Sequence, residues 1–204
     1  MPVTISGSTG ISGVDGSAGT PALIGSDADT GIFLAAGQVS ASVNGTAGNV
    51  PLVSGTAQAS TSGASIDFTG IPSWAKRVTV MFQGVSLSGT NDFLIQLGDS
   101  GGIENTGYLS AYSQFGLNSL STANSTSGFL LNGGGATRII HGSIQLTNLT
   151  GNAWTAFGGA ADETGARACI TAGSKTLSAT LDRVRIAASG ADTFDAGTIN
   201  IMYE

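Results

Sequence analysis

The stretch that most constrains this chain runs from Ile66 to Gly102, IDFTGIPSWAKRVTVMFQGVSLSGTNDFLIQLGDSGG. Val78, Val80 and Phe82 alternate with Thr79, Met81 and Gln83, and Phe93, Ile95 and Leu97 alternate with Leu94, Gln96 and Gly98. A period of two sends successive side chains to opposite faces, so each run can bury one face of a strand. Pro72-Ser73 precedes the first run and Ser88-Gly89-Thr90-Asn91 the second. Both are rich in residues that favour turns. The stretch predicts three short strands and carries no catalytic chemistry.

Its surroundings support an all-β chain. Of 204 residues, 32 are Gly and only 10% are charged, while 41% are hydrophobic. Disordered chains combine low hydrophobicity with high charge, the opposite pattern. Ser, Thr, Asn and Gly supply the polarity, and the low charge suits either a protomer that covers much of its surface with copies of itself or a neutral, hydroxyl-rich surface. The net charge is −6, from seven basic and thirteen acidic residues. Lys76-Arg77 and Arg183/Arg185 are the only close basic pairs. That argues against nucleic acid, which needs clustered cations against phosphate, and equally against an anionic membrane surface. Cys169 is the single cysteine, so no disulfide framework is expected. Neither a signal peptide nor an apolar run approaching the ~18 residues of a membrane helix is recognised, so no membrane insertion is expected.

Two domains are expected, 1–51 and 52–204. The first has no Lys or Arg, and its charges are Asp15, Asp27 and Asp29. Its opening is Gly/Ser/Thr-rich; Ile32 and Leu34 alternate, as do Val39, Ala41 and Val43, before the tight-turn pair Asn44-Gly45. Strands this short need neighbours from the rest of the chain or from other subunits. The second domain is β throughout. Candidate strands are 56–60, 64–68, 77–85, 92–97, 107–112, 128–131, 137–149, 153–159, 166–172, 182–188 and 198–203. Residues 174–189 have partly helical spacing through Leu177, Leu181 and Val184, but Val184 and Ile186 alternate with Arg183 and Arg185 and favour a strand from Asp182. The spacing suggests an antiparallel β-sandwich of jelly-roll type, preceded by a short extended β or fibrous segment.

Three segments resemble one family. Pro21, then Asp27-Ala28-Asp29-Thr30-Gly31-Ile32-Phe33, then a strand ending in Asn44-Gly45-Thr46, resembles a repeat recurrent in bacteriophage tail fibres. The run IDFTGIP, KRVTVMF and LIQLGDSGG resembles the start of a β-structured distal domain of such receptor-binding virion proteins. The run LDRVRI with DTFDAGTINIMYE resembles its closing hairpin. Together these cover about half the chain; one copy of the repeat fits a short fibre. The resemblance implies a homotrimer whose N-terminal segment joins other virion proteins of the tail or baseplate and serves attachment or trimerisation. It implies a distal domain that contacts a host surface glycan or protein. The protein would be assembled in the host cytoplasm and located in the virion tail.

Candidate sites follow from residue chemistry. Tyr108, Tyr112 and Phe115 lie in a Ser- and Asn-rich, loop-like stretch, 108–127. Aromatic rings stack on sugars while Asn and Ser bind hydroxyls, so these three are receptor-contact candidates; the alternative is that they fill the sandwich or a subunit interface. His141 is the sole histidine, and no G-x-S-x-G elbow accompanies it. A strand histidine is expected, or one on a three-fold axis holding an ion. Asp27 and Asp29 suggest a turn rather than a calcium loop, since the later acidic ligand is absent. Asp162-Glu163 and Asp192/Asp195 could supply a glycosidase carboxylate pair. Cys169 reads as a small strand residue, Gly133-Gly134-Gly135 as a loop without the Lys of a phosphate cradle, and Asn44, Asn124 and Asn148 as formal glycosylation sequons. Trp154 with Phe157 reads as core, Trp74 as a candidate interface residue. No catalytic residue, metal or cofactor is expected. The expected function is a virion structural protein, a trimeric tail fibre or receptor-binding tip. A capsid decoration, head fibre or fibre adaptor is the alternative, and a polysaccharide-degrading enzyme a third class.

Overall fold

The computed structural model describes residues 52–116, 119–131 and 134–204, and in the first 51 residues the strands β1 (Leu23–Ile24), β2 (Gly31–Ala35), β3 (Gln38–Val43) and β4 (Thr46–Ala47). The chain divides into two compact units, Met1–Pro51 and Leu52–Glu204. In the first, β1 to β4 form an antiparallel sheet in sequence order, with Ile32 opposite Ala41 and Val43 opposite Thr46. The Asp27 and Asp29 turn and the Asn44 sequon lie outside the described residues, as does Gly133.

The second unit holds β5 (Val53–Ser54), β6 (Gln58–Ala59), β7 (Ser65–Thr69), β8 (Arg77–Leu87), β9 (Phe93–Asp99), β10 (Gly102–Ile103) and β11 (Leu109–Gly116). It continues with β12 (Ser119–Ser125), β13 (Phe129–Leu131), β14 (Ile140–Thr150), β15 (Ala153–Asp162), β16 (Arg167–Thr176), β17 (Arg183–Ala188) and β18 (Phe194–Tyr203). All described pairings are antiparallel, and the described residues contain no helix. The smaller sheet runs β7-β17-β9, with β13 and β10 sharing the far edge of β9. The larger runs β12-β11-β16-β15-β14-β8-β18, with β5 and β6 on the far edge of β18.

The alternation in the sequence explains how the two sheets share a core. Val78, Val80 and Phe82 of β8 and Ile144 and Leu146 of β14 face Ile95 and Leu97 of β9 and Val184 and Ile186 of β17 in one hydrophobic cluster. Each such side chain contributes about 1.5–3 kcal/mol by leaving water. Phe93 of the smaller sheet lies 6.2 Å from Phe82 and 6.0 Å from Phe194 of the larger, so an aromatic trio pins the sheets together.

Two expectations change. The described residues of 108–127 are not a loop: β11 and β12 pair antiparallel at seven positions, from Ser110↔Ser125 to Gly116↔Ser119. β12, SLSTANS, hides in a sequence reading because it is an edge strand with no buried face to mark with apolar residues. β9 is buried on both faces rather than one. Leu94 packs on Tyr112 and Leu130, and the Gln96 amide donates to the Ser127 carbonyl at 2.8 Å, so the approach to β13 covers the outer side of β9.

Candidate functional site

β11 separates the three aromatic candidates. Its inward positions, Ser110, Tyr112 and Gln114, are buried, while Leu109, Ala111 and Phe115 point outward and are exposed. Tyr108, just before the strand, is completely buried. Its hydroxyl accepts from the Leu97 N–H at 2.7 Å and donates to the Glu104 carbonyl at 2.8 Å, and its ring meets Phe129 edge-on at 5.1 Å. Burial pushes this phenol well above the ordinary tyrosine range. A ring enclosed in this way offers no face to a sugar. The same holds for Tyr112 against Leu94 and Leu130. Phe115 alone of the three has an exposed ring.

Beneath Tyr108 the polar groups are satisfied internally. Lys175 sits 5.4 Å from the Tyr108 ring centroid and pairs with Glu104, which also accepts from the Ser178 N–H at 2.7 Å. Burial opposes the Glu104 charge, but Lys175 and Ser178 outweigh it and hold the carboxyl below its ordinary value. Asp99 is lowered by the Ser178 hydroxyl at 2.8 Å and the Gly101 N–H at 2.7 Å. Both carboxylates brace a corner of the fold.

The remaining candidates are scattered. His141 takes the Gly84 N–H on Nδ1 at 3.3 Å and faces Glu163 through Nε2 at 3.2 Å. Both ring nitrogens are therefore engaged, one by backbone and one by a carboxylate. Asp162 is buried at the β15–β16 turn, where Oδ1 accepts from the Thr164 N–H at 3.0 Å and hydroxyl at 2.8 Å. Its Oδ2 lies 3.5 Å from Arg138 and 3.7 Å from Arg167. Glu163 beside it is exposed. Asp192 accepts from the Asn91 N–H at 2.7 Å, and Asp195 from the Ser86 hydroxyl. The described residues hold no group of three or more His, Cys, Asp or Glu able to bind a metal, and no helix long and apolar enough to cross a membrane. Cys169 is buried on β16. Asn148 caps its own turn through the Gly151 and Ala153 carbonyls, and Gly134 donates to Asp92 at 3.2 Å.

The expectation that Trp154 and Phe157 are both core is corrected. They lie three apart on β15, an odd separation, so Trp154 points inward and is buried while Phe157 points outward and is exposed. Trp74 is partly exposed, with Tyr203 at 5.7 Å.

Sequence reasoning missed the surface this creates. Phe157, Ile170, Leu109 and Leu120 are all exposed on the outward side of the larger sheet. Next to Phe157 in register come Ala172, then Ala111, then Asn124. These small residues floor a hollow of about 400 Å³, walled by Leu109 and Thr126. The signal was present: in Ala168-Cys169-Ile170-Thr171-Ala172 the polar half of the alternation is missing from the outward positions.

No family model, curated protein or solved structure matches the chain.

Proposed function

We propose that this chain is a structural protein of a bacteriophage particle, a short tail fibre or receptor-binding tip that assembles as a homotrimer and attaches the particle to its host. The observation that carries this reading is the resemblance of the D-A-D-T-G-I-F segment, the 66–102 stretch and the closing hairpin to fibre sequences. The strand order adds support. β7-β17-β9-β13 set against β8-β14-β15-β16-β11-β12 reads as a jelly-roll sandwich. In it a three-stranded meander, β14 to β16, replaces one usual strand, and β18 is appended beside β8. Jelly rolls occur in viral capsid and lectin domains, a fold-level analogy only.

In this reading residues 1–51 are the attachment and trimerisation segment, and the second unit meets a host glycan or protein. Weak contacts from three subunits combine through avidity. Of the aromatic candidates Tyr108 and Tyr112 are enclosed and drop out of such contact, while Phe115 has an exposed ring on the uncharged outer side of the larger sheet. The chemistry is binding, without cofactor or metal.

The test uses antibody to the purified chain on particles of the phage that encodes it, together with binding of the labelled chain to host cells. Label at the tail and saturable cell binding support the fibre reading. Label over the head moves the protein to a capsid decoration or head fibre, for which the jelly-roll order is equally apt. Absence of label from the particle overturns the virion assignment, and release of reducing sugar from host polysaccharide would make it an enzyme.

A further inference from the structure

We infer that the outward face of the larger sheet, centred on Phe157 and Ile170, is the surface on which a second copy of this chain docks. This rests on the self-assembly in the reading above, not on its adsorption role.

An antiparallel sheet with one face on the core usually shows the other to water as polar residues. Here the outward positions of β12, β11, β16, β15 and β14 hold no Asp, Glu, Lys or Arg. They carry Leu109, Phe115, Leu120, Phe157 and Ile170, exposed by 73%, 50%, 71%, 65% and 47%, set among polar residues such as Ser113, Thr122, Asn124, His141 and Gln145. The outer side of the smaller sheet differs: Asp67 and Arg185 form a two-bonded pair there at 2.7 Å, beside Arg183. Contiguous apolar surface on one face alone marks an interaction site.

Size and charge select the occupant. Five strands of 7 to 11 residues, about 4.8 Å apart, cover roughly 600 Å² before side-chain relief is added. A stable interface takes ~800 Å² from each partner. A nucleic acid, an anionic membrane or a strongly charged partner would find no counter-charge on these five strands; the Arg77–Glu204 pair on the same side lies beyond them, at β8, and is neutral as a pair. A second copy presents the same uncharged surface.

The relief of the face is self-complementary. Phe157 is a knob, and the hollow over Ala172 and Ala111 lies beside it in the same register row. In the next row Ile170 stands between Gly159 and Ser113. Phe157 of one copy fits the hollow of another. Because knob and hollow are different positions, the contact is satisfied reciprocally across a two-fold axis or head-to-tail around a closed ring, and three copies make such a ring.

The experiment is the solution mass of the intact chain at tens of micromolar by light scattering, for wild type, Phe157→Asp, Ala172→Arg and Ser65→Asp. Ser65 is exposed on β7, away from the face, and serves as control. Phe157 and Ala172 both point away from the core, and circular dichroism with thermal melting checks each fold. The expected result is a discrete multimer for wild type and Ser65→Asp, falling to single-chain mass for the two face variants with unchanged spectra. If one face variant does not fold, the other decides. Folded variants that keep the multimer overturn the face while leaving self-assembly standing. A wild-type monomer overturns both.

Discussion

Thr171 of the larger sheet donates its hydroxyl to the backbone carbonyl of Leu130 in the smaller sheet at 2.6 Å. The N–H of the same Leu130 donates to the Ser110 hydroxyl at 2.9 Å. β13 pairs with β9 through one edge, so its other edge would carry unpaired backbone groups inside the fold. Two hydroxyls, from β16 and β11, satisfy that edge and close one side of the double sheet.

Thr171→Val keeps the shape of the side chain and removes the donor. The Leu130 carbonyl is then buried without that partner, at a cost of about 1–3 kcal/mol. For a domain of this size that lowers Tm by roughly 2–12 °C. Thermal unfolding of the two proteins measures it, and an unchanged Tm would show that the bond does not hold the edge.

Gly197 and Gly84 meet where the β8–β18 ladder shifts register, with φ of +96° and +65°. A Cβ on Gly197 would lie 2.4 Å from the Gly84 carbonyl oxygen. Gly197→Ala therefore adds a backbone clash to the strain of a positive φ, which alone costs about 1–3 kcal/mol. Gly70 has φ of +76° with nothing within 4 Å of an added Cβ, so Gly70→Ala carries the strain alone. Chemical denaturation should place Gly197→Ala clearly below Gly70→Ala. Equal losses would mean that the bulge relaxes freely.

Acid should weaken the corner held by Glu104 and Asp99. Both carboxyls are held below their ordinary values of 4.5 and 3.8. A carboxyl lowered in the folded state contributes stability above its unfolded pKa and loses it as pH falls through the folded value. Stability should therefore be flat from pH 7 to about 5 and decline below about 4.5. In Glu104→Gln that decline should be shallower, while stability at pH 7 is lower because Lys175 loses its partner. Denaturant midpoints at pH 3.5, 5 and 7 read both effects. A Glu104→Gln profile parallel to wild type would remove Glu104 from the account.

Much of the fold was legible because its strands carry a one-sided apolar code. Val78, Val80 and Phe82, or Val184 and Ile186, announce both strand and inward face. The code fails where both sides are alike. β9 buries both, so its outer residues Leu94, Gln96 and Gly98 gave no sign of the cover supplied by Tyr112 and Leu130. β12 buries little, and its Ser, Thr and Asn imitate a loop. Tyr108, Tyr112 and Phe115 share a residue type and a Ser- and Asn-rich stretch that imitates a loop. Strand parity then placed Tyr112 inward and Phe115 outward, a distinction no composition carries. The same parity separates Phe157 from Trp154, three residues apart on one strand.

Tyr108→Phe should separate the ring from its hydroxyl. The ring fills the core against Phe129, and that packing survives the substitution. The hydroxyl receives the Leu97 N–H and donates to the Glu104 carbonyl, so its loss leaves the buried Leu97 N–H without that partner, at about 1–3 kcal/mol, and takes a donor from the partly buried Glu104 carbonyl. The variant should also differ in alkali. Burial raises the Tyr108 pKa above its ordinary value of 10.0, so the folded state keeps this proton where the unfolded chain releases it. Wild-type stability contributed by this group is complete below pH 10 and is lost as pH rises beyond it. Tyr108→Phe should show a smaller decline from pH 9 to 11, and the phenolate absorbance that distinguishes the two proteins should appear only on unfolding. Ionisation of Tyr108 in the folded protein near pH 10, seen as that absorbance without loss of circular dichroism, would contradict the enclosed geometry.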